Sequence, residues 1–153
     1  MIVLADAFAS TSYNIVLFLH ILSAVVAFAP GFVNPVLGAL SRQSAPQIAG
    51  PLADLQARST RTLYLPALVA VGVFGTGLVL LSEDSIEFSQ IWISISYLGW
   101  LAVVGIVGFV LLPAEKALAA GDETAEKRIA MFGGIAHLLF AVVLYCMVFQ
   151  PGR

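Results

Sequence analysis

The stretch YNIVLFLHILSAVVAFAPGFVNPVLGAL, residues 13–40, holds no Asp, Glu, Lys or Arg. A helix needs roughly 20 mostly apolar residues to cross a hydrocarbon core of about 30 Å, so this stretch is longer than a perpendicular crossing requires. Tilt, a kink or an inner extension must absorb the excess. Three further segments reach spanning length, at 63–81, 91–112 and 129–149. They nearly exhaust the 153 residues, leaving no room for a soluble catalytic domain.

Composition agrees with that reading, because 60% of residues are hydrophobic, 10% are charged and the mean hydropathy is +0.99. The runs lack the short alternation of barrel strands, so the expected fold is all-α: one integral membrane domain, 1–153, forming a four-helix bundle. The first residues, with Asp6 and no Lys or Arg, lack the basic start of a secretory signal, although Ala7–Ala9 is cleavage-like. The first span is therefore read as retained. Cys146 is the only cysteine, which excludes an internal disulfide and makes it a small apolar residue of the last helix.

Basic residues set the orientation. Arg42, Arg58 and Arg61 follow the first span, and Lys116, Lys127 and Arg128 follow the third, whereas the middle loop holds only Glu83, Asp84 and Glu87. The positive-inside rule makes the first and third connections cytoplasmic and puts both termini outside, with Arg153 alone arguing the other way. Tyr13, Trp92, Tyr97 and Tyr145 then fall toward the outer interface and Tyr64 toward the inner one. The localisation implied is a multi-pass protein of a bacterial inner membrane. A net charge of -2 offers nothing to nucleic acid; the partners expected are the bilayer, other membrane subunits or further copies of the chain.

The first connection, residues 41–62, has Pro46, Gly50 and Pro51 as turn signals, and its second half can open a helix at Pro51 that runs into the second span. A solvated loop is the plainer reading. The third connection, residues 113–128, is helix-forming with a break at Gly121, and its mixed charges suit a water-facing surface.

Helical spacing organises the interior. His20, Ala24, Ala27, Gly31, Asn34 and Gly38 recur at steps of four and three, forming one small or polar face, while Phe18, Leu22, Val25, Phe28 and Phe32 mostly occupy the others. Small faces let membrane helices approach closely, so this seam should point into the bundle. The last span has a similar stripe, Ala130, Gly134, His137 and Ala141, with Gly133 beside it. Gly72 and Gly75 on the second span and Gly99, Ala102, Gly105 and Gly108 on the third complete the set. Arg61, two heptads from Gly75, is expected at the inner mouth on the same side. The glycines either tighten packing or make room for a flat cofactor. Pro30 and Pro35 predict a kink, where Asn34 is placed to satisfy a freed carbonyl.

His20 and His137 are the only histidines, and each lies inside a span. An ionisable group there marks a functional site by default. Imidazoles from opposed helices can take both axial positions of haem b, which needs no CxxCH motif; these two residues are thus the candidate cofactor ligands, as haem-iron ligands. The alternatives are hydrogen bonds to neighbouring helices, or separate haems. Counted along the helices, His20 lies roughly 10 Å and His137 roughly 18 Å from the outer ends of their spans, a mismatch for one haem. No Asp or Glu lies in the middle of a predicted span, which disfavours a carboxylate proton relay or a cation-coupled transporter. Neither histidine has a nearby acidic orienter, which disfavours a hydrolase.

Two runs carry a family resemblance. LHILSAVVAFAPG, residues 19–31, resembles the first helix of small bacterial membrane proteins whose opening span bears a histidine followed by small residues. HLLFAVVLYCMVFQPG, residues 137–152, looks like the closing helix of an uncharacterised four-helix member of that group. The layout is similar to copper resistance D-like proteins and to the membrane protoporphyrinogen oxidase HemJ. That resemblance implies an intramembrane haem held by a first-helix histidine, here His20. No tryptophan directly follows His20, and Met1, Met131 and Met147 form no copper-binding cluster. The function expected is a small b-type haem protein or redox-associated subunit moving electrons, or alternatively a non-enzymatic accessory or assembly subunit of a larger membrane complex.

Overall fold

The computed structural model describes residues 10–83 and 85–152, apart from the Pro46 side chain. The cleavage-like Ala7–Ala9 and the charges of Asp6, Asp84 and Arg153 lie outside those residues.

Helix α1 spans Thr11–Gln43. Ser10 caps it, its hydroxyl accepting from the Tyr13 amide at 3.2 Å. Helix α2, Pro46–Ser59, continues through a π-turn at Thr60–Tyr64 into α3, Leu65–Leu80. Helix α4, Ile91–Ile106, likewise continues through a π-turn at Val107–Leu111 into α5, Leu112–Ala119. Helix α6, Ala125–Phe149, closes the chain. Each of the four continuous rods, with α2–α3 and α4–α5 counted as one each, is long and apolar enough to cross a membrane.

A Leu-Pro pair follows each π-turn, Leu65-Pro66 and Leu112-Pro113. A proline inside a helix clashes with the carbonyl four residues back and supplies no N–H, and the wider turn relieves that crowding. The leucine amides reach back five residues, to the Thr60 and Val107 carbonyls. Pro113 therefore does not end the third rod at Leu112.

The first connection is not a solvated loop. It is helical from Pro46, and Ala53, Gln56 and Ala57 are buried between α1 and α5. The break at Gly121 is present, with φ +97 in the left-handed region that glycine adopts without strain. Beside it the exposed Asp122 carboxylate accepts from the Thr124 hydroxyl at 2.5 Å and amide at 3.0 Å. Those bonds, with Arg128 nearby, hold its carboxyl below the usual range.

Packing divides the bundle into two pairs. Helix α1 lies along α3 and α4 along α6; the two halves meet chiefly where α2 packs on α5, less through α3 and α4, and only sparsely through α1 and α6. One core cluster joins Ala27, Tyr64, Leu68, Val103, Val107 and Leu111. A second, at the other end, joins Val79, Trp92, Ile93 and the free Cys146. Arg42 pairs with Glu126 at 2.5 Å, tying the end of α1 to the start of α6, so both basic connections lie at one end of the bundle.

Most of the aromatic residues placed near the interfaces face into the bundle. Trp92 and Tyr13 turn into the bundle rather than lying against lipid, and Tyr64 is buried in the core. Tyr97 bonds the Thr76 hydroxyl at 2.6 Å, and Tyr145 alone of the set is largely exposed, packed on Phe149. Shape decides this: rings fill the gaps beside small residues before they serve an interface.

Candidate functional site

The small-residue faces separate into two kinds. Some glycines admit a neighbour: a Cβ on Gly72 would fall 2.1 Å from the Trp100 ring, on Gly99 2.7 Å from Val143, and on Gly31 2.7 Å from His137 Nε2. Trp100 lies in its slot and donates Nε1–H to the Leu68 carbonyl at 2.7 Å. Others face open space. At Gly38, Gly50, Gly133 and Gly134 a Cβ would meet nothing within 4 Å, and all four line one cavity.

That cavity, open along part of its wall, holds about 1010 Å³ between α1, α2, α5 and α6, at the end that carries the basic connections. Its depth reaches Pro30, Gly31 and His137, and its mouth is edged by Arg42, Glu123 and Glu126.

The seam on α1 faces inward as expected. Ala27 is buried, and Asn34 donates Nδ2–H to Thr60 Oγ1 at 3.3 Å and to Glu115 Oε1 at 3.4 Å. Asn34 does not bond the carbonyl that Pro35 leaves without its helical donor. His137 does: its Nε2 lies 2.6 Å from the Gly31 oxygen. The helical partner of that oxygen would be the amide of residue 35, and Pro35 has none. An imidazole from α6 thus stands where it can give that oxygen the N–H that proline removed, a neutral ring having one N–H for the two carbonyls it faces. Its Nδ1 lies 2.7 Å from the Gly133 carbonyl one turn back on its own helix.

His20 occupies a separate place. Its Nδ1 donates to the Val71 carbonyl on α3 at 3.0 Å, over Gly75, where a Cβ would meet the ring at 3.2 Å. A carbonyl only accepts, so the proton sits on Nδ1 and the lone pair on Nε2.

The structure does not bring the two histidines together. His137 meets α1 at Gly31, eleven residues beyond His20, a rise of about 16 Å. Nitrogens on opposite sides of one iron stand about 4 Å apart, twice a metal–imidazole bond of about 2 Å. Both ring nitrogens of His137 also face carbonyl oxygens. This pair does not fit the axial positions of a single haem, and the depth mismatch counted along the sequence is larger in the bundle.

Glu115 is the residue that the sequence reading missed. Its side chain is 2% exposed on α5, where Oε1 accepts from Gln56 Nε2 at 3.0 Å and from Asn34. The Thr60 hydroxyl also stands against the Glu115 carboxyl, while among the described residues buried Glu115 Oε2 and Asn34 Oδ1 have no donor in hydrogen-bond geometry. The signal was present: Val103, Val107, Leu111 and Glu115 follow one another at four-residue steps, so the carboxyl continues a buried stripe. Arg61, expected at the mouth, is instead exposed on the outer surface. The π-turn at Thr60–Tyr64 adds in effect one residue of rotation between it and Gly75, which heptad counting ignores.

Residues 14–151 match the family model described as "Predicted integral membrane protein (DUF2269)". The chain belongs to this family. No curated protein and no solved structure matches it. This DUF2269 chain is thus an integral membrane protein of four apolar rods, with a largely apolar cavity carrying a few polar side chains cut into one end. Among the described residues no three His, Cys, Asp or Glu side chains group as a metal site.

Proposed function

We propose that this DUF2269 protein is a membrane-embedded binding protein that admits a small cationic, hydrogen-bond-donating solute into the cavity from the end bearing the basic connections. One observation carries the reading: a buried carboxyl, Glu115, stands beside a large cavity with acceptor atoms left unfilled. Buried polar groups are costly without partners, and a bound cation offers Glu115 one. The lining holds three carboxyls, Glu115, Glu123 and Glu126, against one guanidinium, Arg42, which pairs with Glu126, so it offers a cationic donor more acceptors than competing donors although the outer surface at this end is basic. Its volume suits a small organic solute, for which pockets run to about 1,000 Å³. With the basic connections in the cytoplasm of a bacterial inner membrane, the cavity opens inward.

A haem or redox role rests on the imidazoles alone, and an accessory-subunit role on exposed apolar surface that lipid also explains. Neither draws on the cavity.

The test is thermal unfolding of the detergent-purified protein with putrescine, tetramethylammonium, and neutral and anionic molecules of matched size. A solute at a hundred times its Kd stabilises by about 2.7 kcal/mol, which raises Tm by roughly 5–10 °C for a chain of this size. The expected result is a rise with an amine-bearing cation only, lost in Glu115→Gln. Equal shifts with neutral solutes, or an undiminished shift in Glu115→Gln, would contradict the proposal.

A further inference from the structure

A second site lies outside the bundle, at the same end. A groove of about 600 Å³ is lined by Asp54, Ala57, Arg58, Arg61, Thr62 and Lys116. Its cations come from two different rods, Arg58 and Arg61 from the α2–α3 rod and Lys116 from α5. Asp54 takes only Arg58 Nε, at 2.7 Å, and Arg61 and Lys116 join no ion pair among the described residues. The lining carries a formal charge of three cations less one anion, in a chain whose net charge is -2.

Depth identifies what the groove meets. Apolar sequence begins at Leu63 on one rod and ends at Leu112 on the other. Arg61 and Lys116 stand two and four residues beyond those limits, about 3 and 6 Å along a helix axis. The polar headgroup layer is roughly 5–7 Å thick on each side of the hydrocarbon. Exposed Leu63, at the hydrocarbon limit and next to Thr62 of the groove, offers acyl chains a surface.

We infer that this groove binds the phosphate of an anionic phospholipid, with Arg61 and Lys116 as its principal contacts and the free end of the Arg58 guanidinium beside them. Two converging side chains with no carboxylate to satisfy them make a phosphate site, and their level in the bilayer selects a lipid over a soluble anion. The site is independent of the cavity solute, because Arg61 and Lys116 do not line that cavity.

The test is native mass spectrometry of the full chain released from nanodiscs of phosphatidylglycerol and phosphatidylcholine. Wild type should retain phosphatidylglycerol, and Arg61→Gln/Lys116→Gln should lower that retention roughly thirty-fold. The control Lys127→Gln/Arg128→Gln removes the same charge from exposed positions on α6 and should leave retention unchanged. Circular dichroism of each variant confirms that it remains helical. Equal retention in the groove variant, equal loss in the control, or displacement of the lipid by millimolar inorganic phosphate would each overturn the inference.

Discussion

Removing His137 should harm the protein more while residue 35 is a proline than when it is an alanine. The Gly31 carbonyl loses its intrahelical donor to Pro35 and regains one from His137 Nε2 at 2.6 Å. His137→Leu leaves that oxygen unpaired, at a cost of about 1–3 kcal/mol for a buried group. Pro35→Ala returns a backbone N–H to the same oxygen, so the leucine should cost less in that background. Interhelical hydrogen bonds in membranes average about 0.6 kcal/mol with a maximum near 1.7, so the expected coupling is about 1 kcal/mol. The assay is reversible unfolding of the four proteins in mixed micelles, followed by circular dichroism. Additivity within about 0.4 kcal/mol would refute the reasoning, since independent sites add to that precision.

The two kinds of glycine should answer substitution oppositely. Gly72→Ala drives a Cβ into the Trp100 ring and should cost about 2–4 kcal/mol through overpacking and the lost bond to Leu68, an effect that disappears in a Trp100→Ala background. Gly134→Ala meets open space and should stabilise by about 0.5–1 kcal/mol through helix propensity, measured by the same unfolding. Glu115→Leu strands the Asn34 and Gln56 donors and should cost about 2–4 kcal/mol, whereas Glu115→Gln keeps an acceptor and should cost under about 1. Arg42→Gln should change stability by less than about 1 kcal/mol and lose even that in high salt, because the pair is 56% and 38% exposed.

The sequence exposes the fold and the inward seam because both are periodic. Residues 13–40 are too long and apolar for anything but a spanning helix, and steps of four and three put Ala27, Gly31 and Asn34 on one face whatever they touch. The site depends on departures from periodicity. Pro113 reads as the end of a span, but a π-turn accommodates it, the helix runs to Ala119, and Glu115 goes inside. Heptad counting carries Arg61 to the mouth, and the other π-turn rotates it to the outer surface. The bond from His137 to Gly31 joins residues 106 apart, and its cause, the missing N–H of Pro35, lies on the helix opposite the imidazole. Glycines that tighten packing and glycines that open a cavity look alike until the neighbouring helix is placed.

The existence of an accessible cavity is tested most directly by Gly134→Cys in a Cys146→Ser background, labelled from either side of oriented vesicles with a membrane-impermeant thiol reagent. Residue 134 lies on α6, with open space beside it and the cavity mouth at the end bearing Arg42 and Glu126. The account predicts labelling from the side of the basic connections only, slowed by a cation that raises Tm. Labelling from the opposite side, or from neither, would contradict it.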